Sequence, residues 1–170
     1  MLKVIDNYIH NDIAKEIYNS VVNRFNLSKY KSTCCYDSLM DRAGSYNYIE
    51  EADFLFGQYE NLETEPHHFY INGFQQNSRS LGLHNSRESL GREWSKHLIL
   101  LLGEGEYAGG DYYFLEEEEE IPLEHPTKED FSIVEFKQNR MIACDTETKR
   151  LVSFLEKSDH PAVHINLLLE

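Results

Sequence analysis

Histidines are the residues of this sequence best suited to metal chemistry, and eight of them occur. Neutral imidazole is a common protein ligand for metal ions. His67 and His68 are adjacent, so on a strand their side chains point to opposite faces and cannot easily share a metal ion. His10, His97 and His125 have no acidic or histidine partner at ligand spacing, so we expect each of them at the surface or hydrogen-bonded in the core.

Three segments carry the other candidate residues, and their order along the chain is informative. The first contains Asn72-Gly and leads to His84-Asn-Ser86. The second is a hydrophobic run followed by Tyr107-Ala-Gly-Gly-Asp-Tyr-Tyr-Phe, and the third is Asn139-Arg-Met-Ile-Ala-Cys-Asp followed by a last apolar run that contains His164. The paired glycines of the second segment can adopt a positive φ, which lets a strand reverse or bulge beside a site.

In this order and spacing the segments resemble the 2-oxoglutarate/Fe(II) dioxygenases, in particular the prolyl 4-hydroxylase-like branch common in bacteria and bacteriophages. Members of that family have an Asn-Gly strand before an His-x-Asp ligand pair, then a hydrophobic strand, a Tyr-x-Gly-Gly-(Asp/Glu) turn, and an Asn-Arg strand that ends near an Asp. A distal histidine follows, and an arginine opens the last strand. The resemblance covers residues 66–170. It implies a double-stranded β-helix, with Fe(II) and 2-oxoglutarate as cofactors if the chain is an active hydroxylase.

The resemblance also assigns the site positions. His84 matches the first histidine of the facial triad, but Ser86 stands where the family has its carboxylate, and Lys149 or Arg150 stands where it has the distal histidine. His164 matches the arginine that binds 2-oxoglutarate. The predicted pocket residues are Tyr70, Asn72, Ser86, Lys149, Arg150 and His164.

These exchanges change the electrostatics of the expected site. A hydroxyl is a poor ligand for a divalent ion, and a fixed cation close to the site repels iron. Two alternatives stay open. A halide could fill the place beside Ser86, as in the halogenases of this superfamily, or His160 or His164 could supply a late ligand if the last loop folds back.

Three functions are therefore compatible with the sequence. The first is a binding or regulatory protein that has lost the iron triad and binds an anionic small molecule or a protein segment. The second is an active 2-oxoglutarate-dependent hydroxylase with a non-standard ligand set. The third is an acidic interaction module, for example a virus-encoded one, suggested by the net charge of −14 and by the run Glu116–Glu120, which we otherwise expect to be an exposed turn.

The elements that must position these residues follow from hydrophobic spacing. Residues 1–9 predict a short strand or extended lead-in, and Asp12 is expected to cap a helix that ends near Phe25. The predicted buried stripe of this helix is Ile13, Ile17, Val21 and Phe25, with Val22 alongside. A second helix is expected at about residues 48–59.

After Pro66, eight short apolar or aromatic runs separated by polar turns predict strands. They are residues 69–74, 80–84, 97–102, 111–115, 131–136, 140–144, 151–155 and 163–169. Helices followed by strands predict an α+β protein that is mainly β, a jelly roll of the cupin-like, double-stranded β-helix type with helices packed on one sheet. We expect one domain over residues 1–170, with a helical buttress in 1–65 and the β core in 66–170.

Composition limits the partners. A net charge of −14 disfavours binding to phosphate backbones, so no nucleic acid is expected. No apolar stretch is long enough to cross a membrane, and no signal peptide is expected. The three cysteines have no ligand-like spacing and predict free thiols in a reducing compartment, which favours the cytoplasm.

Overall fold

The structure is a computed structural model that describes residues 1–24, 37–38, 53–60, 62, 67–74, 81–89, 92–115 and 128–170. Its strands are β1 (Leu2–Asp6), β2 (Asp37–Ser38), β3 (His67–Phe74), β4 (Leu81–His84), β5 (Glu88–Ser89), β6 (Arg92–Glu93), β7 (Lys96–Leu102), β8 (Tyr107–Gly109), β9 (Tyr112–Leu115), β10 (Phe131–Val134), β11 (Arg140–Asp145), β12 (Arg150–Val152), β13 (Leu155–Ser158) and β14 (Ala162–Leu169). Helix α1 is Asn11–Arg24, residues 53–56 form a helical turn, and Lys128–Asp130 form a 3-10 turn.

Most strands belong to two antiparallel sheets. The major sheet has six strands in the order β1-β11-β7-β14-β3-β2, and the minor sheet has four in the order β10-β9-β12-β4. The pairs β8–β13 and β5–β6 form two small additional sheets. This arrangement confirms the predicted fold class, a mainly β double-stranded β-helix with helical support on one sheet.

Strand β7 shows why the sheets face each other. Its near-continuous apolar sequence is typical of a strand buried on both faces. Leu98 and Leu100 pack in the core beneath α1, whereas Ile99 and Leu101 pack against Tyr112 and other residues of the minor sheet. The major sheet therefore has one face covered by the helix and one face that forms the interior of the barrel.

Helix α1 begins two residues earlier than a cap at Asp12 predicts, so the predicted cap is wrong. The carbonyl of His10 accepts the first helical hydrogen bond, from Ala14 N at 2.9 Å, so Asp12 lies in the first turn. The carboxylate of Asp12 still interacts favourably with the helix dipole there. The predicted stripe is also displaced, because the residues buried by α1 are Ala14, Tyr18 and Val21, with Ile17 and Val22 partly buried.

Within that predicted stripe, Ile13 is exposed. The prediction centres the buried face of the helix on Ile13 and Ile17, whereas in the structure the face that carries Ala14 and Tyr18 packs against the sheet. The hydroxyl of Tyr18 donates to the carbonyl of Pro161 at 2.7 Å, which gives this aromatic residue a polar partner in the core.

The predicted strand at 151–155 is in fact two strands, β12 and β13, separated by Ser153 and Phe154. The chain changes partner here. Ser153 N donates to Asp111 O at 2.8 Å, and Gly110 N donates to Phe154 O at 3.2 Å, so β12 pairs with β9 and β13 pairs with β8. Gly109 and Gly110 have φ of 78° and 76°, which confirms the prediction of positive φ at this turn.

Asn139, at the start of the predicted Asn-Arg motif, joins the N-terminal segment to the barrel. It is buried, with a φ of 58°. Its Oδ1 accepts from Ile9 N at 3.0 Å, and its Nδ2 donates to Ile9 O at 2.6 Å, so the side chain pairs with the backbone as a strand would. The next residue, Arg140, donates to Asp6 at 2.6 Å, and this hydrogen bond, with one from Lys137, holds the pKa of the Asp6 carboxyl well below its ordinary value.

The predicted strand in residues 1–9 is β1, and it pairs with β11 at the edge of the major sheet. Of the predicted second helix, residues 53–56 are helical, and residues 48–52 lie outside the described residues. Phe25 and the Glu116–Glu120 run also lie outside them. None of the described helical residues forms a helix long and apolar enough to cross a bilayer.

Candidate functional site

Polar side chains are concentrated in the barrel interior, where most side chains of such a fold would be apolar. Six polar residues on β3, β7, β12 and β14 or beside β4 are at most 8% exposed. They are Asn72, Ser86, His97, Arg150, His164 and Asn166. Buried polar groups are costly unless they are hydrogen-bonded, so their partners define what the site can do.

Arg150 lies at the centre of the site. In the sheet it pairs with His84 on one side and with Phe114 on the other, and only 1% of its surface is exposed. One terminal nitrogen of its guanidinium donates to Ser86 Oγ and to His97 Nδ1, the latter at 2.5 Å. The other terminal nitrogen lies 3.4 Å from the carbonyl of Thr148.

The ion pairs that join described residues use other cations, and none of them includes Arg150. Its partners in this part of the chain are thus a hydroxyl, an imidazole and a carbonyl, and all three are neutral. A buried charge without a counter-charge is expensive, because the low-dielectric interior does not repay the lost hydration.

His97 connects Arg150 to the neighbouring strand. A guanidinium can only donate, so Nδ1 of His97 accepts, and Nε2 carries the proton that is donated to Asn166 Oδ1 at 2.9 Å. Asn166 Nδ2 in turn donates to the carbonyl of His164 at 3.0 Å. Burial, followed by the positive charge of Arg150, holds the pKa of His97 well below its ordinary value, so the imidazole stays neutral.

His84 lies at the solvent side of the site. It is exposed, and its Nδ1 donates to the carbonyl of Gly82 at 2.7 Å, which leaves Nε2 as the acceptor nitrogen. Partial desolvation, together with the charge of Arg150, lowers the pKa of His84. Lys149 lies just before β12, and its carbonyl accepts from Leu115 N at 2.9 Å.

His164 lies deeper in the barrel, on β14. Its ring is 1% exposed and surrounded by aromatic rings, with centroid distances of 4.4 Å to Phe74, 5.3 Å to Tyr112 and 5.9 Å to Phe136. Nδ1 lies 2.7 Å from the hydroxyl of Tyr112. Desolvation lowers the pKa of His164 to about 3, so the imidazole is neutral at physiological pH.

The structure therefore brings most of the predicted pocket residues to one interior. Ser86 and Arg150 are in contact, Tyr70 lies with its hydroxyl 3.4 Å from His97 Nε2, and Asn72 pairs directly with His164 across β3 and β14. Tyr70 also stacks on His68, with 5.6 Å between the ring centroids.

Of the other histidines considered in the sequence, His160 lies away from the site and His97 belongs to it. His160 lies beside Gly105, just before β14 begins. Ser86 N donates to Thr146 O, and Thr146 is linked through Ser95 to Leu169 at the other end of β14. His160 is therefore not positioned to ligate beside His84. His97 is hydrogen-bonded in the core, one of the two environments expected for it, but it also belongs to the site. His125 lies outside the described residues.

Sequence reasoning missed Asn166 and Tyr112 as site residues, as well as the role of His97. Each comes from a different strand, and each reaches the site through antiparallel pairing that brings together residues 50 to 70 positions apart, such as the 69 that separate His97 from Asn166. The only available signal was polar residues within otherwise apolar strands, as at Asn166 in β14.

Comparisons with known proteins identify the fold. No family model matches the sequence, and no curated protein matches it significantly. Three solved structures share the architecture over 99% of this chain. They are a prolyl-4-hydroxylase from Pseudomonas putida (TM-score 0.64, 11% identity, 91% of that chain covered), a prolyl hydroxylase from Trichoplax adhaerens in complex with a hypoxia inducible factor peptide (0.62, 11%, 82%) and the viral collagen prolyl hydroxylase of Paramecium Bursaria Chlorella virus-1 in complex with 2-oxoglutarate (0.57, 12%, 94%).

At these identities the likeness establishes the fold of the 2-oxoglutarate/Fe(II) oxygenases and does not establish their activity for this chain. In the described part of the chain, no three His, Cys, Asp or Glu side chains are grouped so that they could hold a metal ion.

Proposed function

We propose that this chain is a binding protein that uses the oxygenase fold without iron chemistry, and that it binds a small organic anion at Arg150. The observation that carries the proposal is the buried guanidinium of Arg150, whose partners among the described residues are neutral. A carboxylate is the natural complement of such a group, because it can accept two parallel N–H bonds from the planar fork.

The donor set around His84 does not fit Fe(II). The facial triad requires two imidazoles and a carboxylate on one ion. Here Ser86 supplies a neutral hydroxyl, and Arg150 pairs directly with His84 in the sheet, so a permanent cation occupies the neighbourhood in which the ion would have to bind. His97 cannot replace the missing ligand, because both of its nitrogens are already hydrogen-bonded.

The surroundings of 2-oxoglutarate are also altered. His164 is the residue expected to bind its distal carboxylate, but it is neutral and lies among aromatic rings. A neutral imidazole offers one hydrogen bond and no charge, so it is a poor substitute for a bidentate arginine. This argues that the bound anion is not 2-oxoglutarate in its usual orientation.

Binding of carboxylates by the anaerobically purified protein tests the proposal. We expect small carboxylates to raise the midpoint of thermal unfolding of the wild-type protein, by an amount that grows with the logarithm of their concentration once it exceeds the dissociation constant. Arg150→Met should abolish this shift and Arg150→Lys should weaken it, whereas Arg92→Met, at an exposed arginine paired with Glu170, should preserve it. Stoichiometric Fe(II) binding through His84 would overturn the proposal, and succinate formation that depends on iron and 2-oxoglutarate and is lost in His84→Ala would establish the active hydroxylase.

A second candidate, a site for a basic protein segment, is favoured by a cleft of about 670 Å³ beside the barrel. Its lining includes Trp94 and four carboxylate residues, Glu93, Asp145, Glu147 and Glu170. Two cations also line it: Arg87, which pairs with Glu93 and Glu147, and the N-terminal ammonium of Met1, which pairs with Asp145, so the carboxylates outnumber the cations by four to two. Such a cleft complements a lysine- or arginine-containing segment. If it binds one, a lysine-rich peptide should associate at low salt and dissociate as the salt concentration rises, and Glu93→Gln with Glu147→Gln should weaken the complex.

A further inference from the structure

Among the residues that the structure describes, two buried side-chain atoms have no hydrogen-bond partner, Oδ1 of Asn72 and Nε2 of His164. The two residues are 5% and 1% exposed and are direct partners in the pairing of β3 with β14. Buried polar groups are almost always hydrogen-bonded, so two such atoms on facing residues point to a polar group that binds between them. Neither atom takes part in the Arg150 network.

The hydrogen-bonding capacity of these atoms limits what the group can be. Oδ1 of Asn72 can only accept, so the bound group must donate a proton to it. A carboxylate has no proton to donate at neutral pH. A primary amide satisfies both atoms in either tautomer of His164, because it carries two N–H donors and a carbonyl acceptor. A hydroxyl satisfies both when His164 Nε2 is protonated and donates.

The surroundings favour an uncharged group for a second reason. The rings of Phe74 and Phe136 lie 4.4 Å and 5.9 Å from that of His164 by centroid. Leu155 and Ala162 are buried in the same cluster as Phe74. Among these side chains a charged group would lose its hydration without gaining a counter-ion, whereas a neutral polar group loses less.

The position relative to Arg150 sets the length of the ligand. On β12, Arg150 lies two residues from Val152, which pairs with Tyr112, and the hydroxyl of Tyr112 lies 2.7 Å from His164 Nδ1. Two residues of a strand span about 7 Å, which corresponds to a chain of roughly four to six carbon atoms.

We infer that Asn72 and His164 bind the neutral polar end of the ligand whose carboxylate pairs with Arg150, which makes that ligand a short aliphatic monoanion ending in a primary amide or a hydroxyl. This inference rests on the proposed function, since Arg150 binds the charged end. It assigns the two ends of one molecule to two parts of the barrel, the charged end beside Ser86 and the neutral end among the aromatic rings.

A matched series of five-carbon acids tests the inference by calorimetry on the wild-type protein. The acids are valerate, delta-hydroxyvalerate, glutaramate and glutarate, whose far ends are a methyl, a hydroxyl, an amide and a carboxylate. We expect glutaramate to bind about fivefold to tenfold more tightly than valerate, since one or two net hydrogen bonds are gained, and glutarate to bind more weakly than glutaramate by about tenfold or more. Four- and six-carbon homologues cover the length range.

Variants separate this inference from the proposed function. Asn72→Leu should reduce the preference of glutaramate over valerate to about onefold while valerate still binds, and Gln138→Leu, at an exposed amide away from the site, should leave the preference unchanged. If all four acids bind equally, or glutarate binds most tightly, the inference is wrong although Arg150-dependent binding stands. If no acid binds, or Arg150→Met has no effect, the proposed function fails as well. The series on unmodified protein decides the matter even if Asn72→Leu does not fold.

Discussion

The guanidinium of Arg150 donates a hydrogen bond to the hydroxyl of Ser86, although 64 residues separate them in the chain. The contact joins β12 to the segment that follows β4, and His97 accepts from the same guanidinium nitrogen. Ser86 and Arg150 are the two positions at which the family resemblance places a carboxylate and an imidazole. A hydroxyl and a guanidinium complement each other, because the guanidinium donates a hydrogen bond that the hydroxyl accepts. Neither complements a bound cation, so the two exchanges are consistent with each other and both disfavour a metal ion.

Replacing Arg150 by methionine should leave the anion-free protein as stable as the wild type or stabilise it by roughly 1–3 kcal/mol, because a long apolar side chain does not carry the cost of an uncompensated buried charge. Ser86 Oγ lies 3.4 Å from His97 Nδ1 and can donate to it once the guanidinium is removed. Urea denaturation measures the change. A loss of about 3 kcal/mol or more would mean that an acidic partner neutralises Arg150 in the folded protein.

His164 predicts a loss of stability in mild acid. Its pKa is about 3 in the folded protein, well below the ordinary histidine value of 6.5, so the unfolded state binds a proton in a pH range where the folded state does not. The stabilisation is complete above pH ~6.5 and falls by up to about 1.4 kcal/mol per pH unit as the pH decreases towards 3. His164→Gln, which stays neutral, should make the pH dependence of the unfolding free energy shallower by about one proton over this range.

Nuclear magnetic resonance provides the direct control for this prediction. The ring signals of His164, assigned by their absence in His164→Gln, should not titrate above about pH 4. A midpoint near the ordinary histidine value would show that the ring reaches solvent, and the buried environment formed by Phe74 and Tyr112 would then be wrong.

The sheet could be predicted from the sequence because its central strands are nearly continuous apolar runs. Strands β7 and β14 lie within one residue of their predicted bounds. The break between β12 and β13 could not be predicted, since it depends on the change of pairing partner at Ser153, which is a tertiary event. The start of α1 was misplaced for a related reason: a carbonyl, that of His10, begins the helix, and a backbone group leaves no mark on the sequence.

The site was predictable only where one residue carried the information. Ser86 and Arg150 could be found as departures from a spacing pattern. The participation of His97 and Asn166 could not be predicted from the sequence, because their 2.9 Å hydrogen bond depends on the register of β7 against β14. A shift of one residue in that register would turn one of the two side chains to the opposite face of the sheet.

Gly109 is predicted to be intolerant of any side chain. A Cβ there would lie 2.1 Å from the carbonyl oxygen of Phe154, and the φ of 78° is itself unfavourable for an L-residue. Gly109→Ala should therefore destabilise the protein by about 3 kcal/mol or more, because the clash adds to the backbone strain. Gly110→Ala should cost less, about 1–2 kcal/mol, because its Cβ would meet a movable atom of Leu155 at 3.2 Å.

The matched control is Gly82→Ala, since a Cβ at that position has nothing within 4 Å. It should change the unfolding free energy by no more than about 0.5 kcal/mol. Equal losses at Gly82 and Gly109 would show that the effect is a general one of glycine in strands, and the close approach of β8 to Phe154 would lose its support.

Rebuilding the metal site is the most direct test of how Ser86 and Arg150 are placed. Ser86→Asp alone should form an ion pair with the adjacent guanidinium and should not bind iron, because the cation remains. Adding Arg150→His removes that charge and provides a second imidazole directly opposite His84 in the sheet. The double variant should bind Fe(II), or Co(II) as a spectroscopic probe, with about one equivalent per chain, whereas each single variant and the wild-type protein should not. Binding should disappear again when His84→Ala is added.

If the double variant binds no metal, residues 84, 86 and 150 do not converge on one point. If the wild-type protein binds as tightly as the double variant, the guanidinium does not exclude the ion, and the proposed loss of iron chemistry is wrong.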